Sequence, residues 1–296
     1  MKSSYYKYFA ALLLFGSNGI VASNINLPSY EIVLLRLLLG SLFLITVFTV
    51  SRQRFTFYRN KHTCLYLFIS ASAMGASWML LYEAYQQVGI SIASLAYYCG
   101  PVIVMILSPF LFRETLTWPK IAGFLTVLAG MCLVNLQALD EGKTIWGLFC
   151  GLMSAFMYAL MVTANKKAKP ESGLENSLLQ LVIGSFIVVA FVSMQKNFVL
   201  SLTTIDWIPV LLLGLLNTGI GCYLYFSSIT DLPVQTVAIC GYLEPLSAVV
   251  FSVSLFTLKS CCLLTKCIGA GYIYFGGAIF WRIGFNPEKQ QWLQYK

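Results

Sequence analysis

Glu244 and Arg36 are the charged residues set deepest in the long apolar runs of this chain, and that placement limits what they can do. An ionised group at the centre of a bilayer costs about 2.5–3.5 kcal/mol on the insertion scale, so each must face protein or water, find a partner, or lose its charge. Glu244 can exchange a proton or act as the counter-charge to an amine. The plainer reading is a neutral, protonated side chain tied to another helix by a hydrogen bond. Arg36 can clamp a carboxylate, snorkel outward, or pair with Glu83, which lies late in a neighbouring run that ends on the same side. The pairing with Glu83 is the favoured expectation, because Glu31 is five residues from Arg36 and helix partners sit three or four apart.

Aromatic residues supply a second kind of chemistry. Trp78, Tyr82 and Tyr85 recur at spacings of four and three, on one helical face. With Tyr98, Tyr158 and Tyr242 they are candidates for a substrate-binding wall, since a tyrosine ring stacks on apolar or cationic groups while its hydroxyl exchanges hydrogen bonds. Interfacial belts use the same residues, and Tyr5, Trp118, Trp207 and Trp281, near run ends, suit that role better. Asn18 and Gln235 could line a path or simply pack helices. Pro101 and Pro245 lie mid-run, where each removes a backbone hydrogen bond, and read as paired hinges or as static kinks. No CxxC, His/Cys cluster, paired carboxylates at catalytic spacing, Gly-x-Ser-x-Gly or phosphate-binding P-loop occurs. No metal, no cofactor and no enzymatic activity are expected.

The elements that must position these groups follow from composition. Of 296 residues, 58% are hydrophobic and 10% charged, against roughly a quarter charged in soluble domains, which argues against a soluble enzyme, a disordered chain and a nucleic-acid module. Apolar runs fall near 5–22, 30–50, 64–86, 90–112, 119–137, 145–165, 175–195, 206–229, 233–257 and 262–282. The expectation is an all-α polytopic membrane protein with ten transmembrane helices. With a cytoplasmic N-terminus, 14 of the 19 Lys and Arg lie on the inner side and 4 on the outer, with Arg36 inside a span; both termini are therefore expected in the cytoplasm. The basic loop from Ser51 to His62 is expected to touch anionic lipid. The run after Lys2 and Lys7 also has the outline of a signal peptide, but Gly16, Ser17 and Asn18 interrupt it. Nine cysteines, most of them inside runs, read as buried thiols rather than a disulfide framework.

The two halves repeat. Tyr97, Tyr98, Cys99, Gly100 and Pro101 match Gly241, Tyr242, Leu243, Glu244 and Pro245 at an offset of 144, and Ser91 aligns with Gln235. Lys120, Gly123 and Gly130 match Lys266, Gly269 and Gly276 at an offset of 146. Five spans per half put the second copy in the membrane upside down, giving two inverted five-helix repeats over residues 1–140 and 141–296.

These segments resemble the EamA family of the drug/metabolite transporter superfamily. The resemblance rests on Gly100 and Pro101, on Phe110 to Phe112 followed by Arg113, Glu114, Thr115, Leu116 and Thr117, on the glycine-spaced span, on Tyr242 to Pro245, and on Arg36. One departure is clear: Thr257, Leu258, Lys259 and Ser260 replace the second repeat's usual Gly-Glu and Leu-Thr turn. The resemblance implies a secondary carrier in the bacterial inner membrane, exporting neutral or aromatic amino acids or related compounds by alternating access. Protons are the coupling ion it suggests, in a monomer or homodimer. A carrier for organic or quaternary ammonium cations is the rival within transport, and a non-transporting membrane receptor the rival outside it.

Overall fold

The computed structural model describes residues 2–115, 145–194 and 207–255, with scattered positions between 118 and 129. All regular structure among the described residues is helical. The elements are α1 (Lys2–Gly16), α2 (Asn18–Ala22), α3 (Ser29–Val50), α4 (Lys61–Tyr97), α5 (Cys99–Phe112), α6 (Ile145–Ala168), α7 (Gly173–Ser193), α8 (Trp207–Leu211), a π-helix (Leu212–Ile220), α9 (Gly221–Ser228), α10 (Val234–Cys240) and α11 (Leu243–Leu255). Six stretches among the described residues are long and apolar enough to cross a bilayer: Tyr30–Val50, Lys61–Gly89, Ile92–Phe112, Ile145–Ala168, Gly173–Ser193 and Trp207–Ser228. The chain is thus an all-α polytopic membrane protein. Six rather than ten meet that criterion for two reasons. The runs at 5–22 and 233–257 are each split into shorter helices, and those at 119–137 and 262–282 fall largely or wholly outside the described residues.

Local chemistry sets the boundaries. Asn60 caps α4 by accepting from the His62 N–H at 2.9 Å, and Pro28 and Pro233 hold the extended backbone that precedes α3 and α10. The turn between the third and fourth runs is at Gly89, whose φ of 77° and ψ of 161° suit glycine alone. Other breaks fall at Ser17, at Tyr98 and at Gly241–Tyr242.

Helix contacts obey an exchange rule. The α4–α6 contact has its counterpart in α1–α9, α4–α7 in α3 with the π-helix, and α5–α6 in α1–α11; α3–α7 and α5–α10 are their own counterparts. Close approach in two of these contacts depends on glycine. A Cβ on Gly75 would stand 2.9 Å from the Gly184 carbonyl oxygen, and one on Gly214 would stand 2.6 Å from the Leu39 Cβ. In lipid, where apolar surface gives helices no reason to associate, such close backbone packing supplies much of the attraction. Large apolar side chains on the outside, including Phe68, Phe110, Phe156 and Phe186, are left to the hydrocarbon.

Gly75→Ala is expected to lower unfolding stability in detergent by about 1–3 kcal/mol, as overpacked sites do. Gly19→Ala, where an added Cβ meets nothing within 4 Å, serves as the control and should leave the thermal midpoint in place.

Candidate functional site

The two mid-run prolines explain where the backbone opens. Pro101 and Pro245 are each the third residue of the helix that follows a break, α5 and α11, in the first turn where a missing N–H leaves no carbonyl unpaired. The breaks therefore lie just ahead of the prolines, at Tyr98 and at Gly241–Tyr242, and both prolines are buried there. The two openings touch: the Tyr242 hydroxyl donates to the Tyr98 carbonyl oxygen at 2.8 Å. Residues equivalent in the repeat thus join at the point where both helices lose their ladder. Gly100 lets the start of α5 lie against Tyr158, since a Cβ would come within 2.7 Å of that ring.

Around this junction the aromatic residues assemble. Tyr97 packs on Tyr98 and Tyr158 with ring centres 5.6 and 5.5 Å apart, and the Tyr158 and Tyr225 hydroxyls are 3.3 Å apart. Tyr8 stacks near Tyr225 at 5.6 Å and donates to the Val237 carbonyl at 2.7 Å. Tyr82 and Tyr85 meet at 5.2 Å on α4. Glu244 lies half-buried in the first turn of α11, two residues after Tyr242. Contacts through Tyr97 thus join Tyr98, Tyr158 and Tyr242 into one cluster, while Arg36 stands against Trp78 and Tyr82 against Tyr85.

Arg36 has partners that its sequence neighbours do not indicate. Its Nε donates to Thr218 Oγ1 at 2.9 Å, and its guanidinium lies 4.5 Å from the centre of the Trp78 ring. Thr218 stands in the π-helix, and its hydroxyl donates to the Leu213 carbonyl, five residues back, at 2.8 Å. The wider turn presents Thr218 to Arg36 and the adjacent Asn217 to the α1–α2 break. Nothing in the apolar composition of this run signals a π-helix.

The expected pairing of Arg36 with Glu83 is not formed. Glu83 is held by the Tyr30 hydroxyl, by Gln87 at 3.1 Å and by the Trp146 indole N–H at 3.4 Å, which together tie α3, α4 and α6. The small polar candidates also have other places. Asn18 accepts from Asn217 at 2.9 Å, beside the bonds from the same amide to Leu14 and Ser17, where the broken α1 needs partners. Gln235 is buried at the α5–α10 junction and donates to Ser108 at 2.8 Å.

That junction belongs to a polar knot at the bundle end where α6 finishes. The Glu114 carboxylate accepts from the N–H groups of Val234 and Gln235 at 2.7 and 2.9 Å, capping α10. Lys166 donates to the carbonyls of Ile229, Thr230 and Leu232, the first at 3.3 Å and the last at 2.6 Å. Ser4 of α1 donates to Asp231 at 2.7 Å. α1 and α6 thus both bond to the loop of residues 229–233, and Glu114 caps the helix that follows it. Among the described residues no group of His, Cys, Asp and Glu is arranged to hold a metal.

Broken helices that meet in the bundle interior around buried charge define a membrane transporter of small molecules. The sequence profile of the EamA-like transporter family matches residues 3–136 and again 145–292, and the chain belongs to that family, whose members are transporters and not enzymes. The uncharacterized transporter YxxF of Bacillus subtilis is 27% identical, over 82% of this chain and 79% of its own. A biotin transporter of Salmonella typhimurium is 21% identical over 60% of this chain and 61% of its own. A crystal structure 18% identical in sequence superposes with a TM-score of 0.77, covering 94% of this chain and 96% of that one, and so shares the fold.

Tyr242→Phe removes the bridge between the two breaks, and a stability loss of about 1 kcal/mol is expected from denaturant unfolding. Tyr98→Phe, which keeps the accepting carbonyl, is expected to stay within about 0.5 kcal/mol of the native protein.

Proposed function

We propose that the protein is a secondary carrier that exports a neutral or aromatic amino acid, or a related compound, by alternating access. The observation that carries this reading is the junction of two broken helices at a tyrosine cluster, with Glu244 in the first turn beyond one break and Arg36 buried against Trp78. A zwitterion offers its carboxylate to the guanidinium and its ammonium to Glu244, while its side chain lies against the rings. A quaternary cation would leave Arg36 opposed, and a plain carboxylate such as biotin would leave Glu244 without a partner.

The architecture proposed is ten spans in two inverted five-helix repeats, one over residues 1–140 and the other over 141–296. The 144-residue offset, the exchange rule among helix contacts and the double match of the family profile support it. The distribution of Lys and Arg supports cytoplasmic termini in a bacterial inner membrane. On that orientation the Lys166–Glu114–Asp231 knot is the closed cytoplasmic gate. Pro101 and Pro245, at the start of the half-helices, are the hinges, and Glu244 is the site where a coupling proton binds.

Counterflow in proteoliposomes tests the substrate. Labelled aromatic amino acids should exchange, while choline and biotin should not. Glu244→Gln should slow exchange about tenfold or more and flatten its pH dependence, with folded yield unchanged. Choline exchange that survives Arg36→Gln would establish the cation reading instead. Lys166→Met tests the gate: amide hydrogen exchange across residues 229–236 should quicken, whereas unchanged protection would remove Lys166 from gating.

A further inference from the structure

The loop between α3 and α4 and the loop between α6 and α7 enclose a cavity of about 240 Å³ that the central site does not use. Its walls carry the cations Arg59, Lys167 and Lys169, with His62 beside them and the hydroxyls of Thr56 and Thr63 between. Of its two acids, Glu175 is already committed, accepting from the Thr56 N–H and hydroxyl at 2.6 Å each and from the Phe57 N–H at 2.9 Å. The lining therefore sets three cations against two carboxylates, and the oxygens of one of these, Glu175, are already taken up. Lys169 holds a left-handed backbone, φ 48°, directly before Pro170, a conformation that few non-glycine residues adopt and that recurs at ligand sites.

We propose that this cavity binds the phosphate headgroup of an anionic phospholipid. The volume is below the roughly 300 Å³ at which pockets for drug-sized ligands begin, so it suits a headgroup rather than a whole metabolite. The cavity also lies at the edge of the hydrocarbon, because α4 begins at Lys61 and α6 ends at Ala168, both limits of membrane-crossing stretches. Along α4, Leu65 and Phe68 are 57% and 56% exposed on the stripe that starts at Lys61, giving an acyl chain a surface beside the headgroup. Basic pockets between helices are a known means of holding such headgroups. One loop comes from the first half of the chain and the other from the second, so the lipid links the two halves and stabilises the folded bundle.

The experiment is native mass spectrometry of the full chain in detergent with added dioleoyl-phosphatidylglycerol, with dioleoyl-phosphatidylcholine and free glycerol phosphate as separate arms. The cavity variant Arg59→Gln/Lys167→Gln/Lys169→Gln should lose phosphatidylglycerol affinity by about tenfold or more, and the control Arg52→Gln/Arg54→Gln/Lys61→Gln by less than about threefold. Equal losses in both triple variants would reduce the effect to surface potential and overturn the site. Equal retention of phosphatidylcholine would overturn it as well. Displacement by free glycerol phosphate at the lipid's own concentration would make it a site for a soluble anion and overturn the lipid assignment. Lys169→Asn covers the case in which the triple variant fails to fold, since asparagine tolerates the left-handed backbone. It should unfold no earlier than the native protein without lipid and gain less thermal stability from phosphatidylglycerol; a full lipid-induced shift would overturn the proposal.

Discussion

Backbone groups cannot be left unpaired in hydrocarbon, and the structure is organised around the places where this chain breaks that rule under cover of protein. α1, the α4–α5 run and the α10–α11 run all open in mid-course. Two of these openings are answered by a partner from far away in sequence: Asn217 at the first, and the Tyr242 hydroxyl on the Tyr98 carbonyl at the second. The side chains that repair the openings are also those that crowd tyrosines and charge into the interior. Satisfying the backbone and building a polar centre are one arrangement.

The π-helix joins these roles. Its Thr218 fixes Arg36 by the Nε donor, Trp78 covers the flat face of the guanidinium, and the burial of all this restricts Arg36 to one orientation. Lysine could not reproduce it, having neither the planar face nor the forked donors. A guanidinium so held is ordered within the fold and has little side-chain freedom left to lose.

Much of this was legible in the sequence, and the remainder was not for identifiable reasons. The runs at 30–50, 145–165, 175–195 and 206–229 coincide closely with helices because twenty-odd apolar residues have few other options. Tyr98 and Tyr242 stand out in the sequence as equivalent positions of the repeat, and these two residues join. The partner of Arg36 was not, since a charge shows that it needs a partner but not that Thr218, 182 residues away, will supply it. The prolines mark a bend, yet the break falls three residues before Pro101 because proline is at ease in a first turn. Asn18 and Gln235 read as path-lining or helix-packing groups, and each bonds to a neighbouring helix, Asn18 to Asn217 and Gln235 to Ser108.

The repeat also shows what a duplication leaves free to diverge. The helix contacts exchange between halves, so packing constrains both copies alike. The knot at the end of α6 does not exchange. At the 144-residue offset Lys166 corresponds to Ala22 and Asp231 to Gln87, and Glu114 falls opposite the stretch from Leu258 to Ser260, which holds no acidic residue. On the proposed inverted topology, the knot and the stretches that correspond to it lie at opposite membrane faces. The departure of Thr257 to Ser260 from the family pattern falls within this asymmetry: the acidic turn is retained in the half where Glu114 caps α10 and is missing from the other.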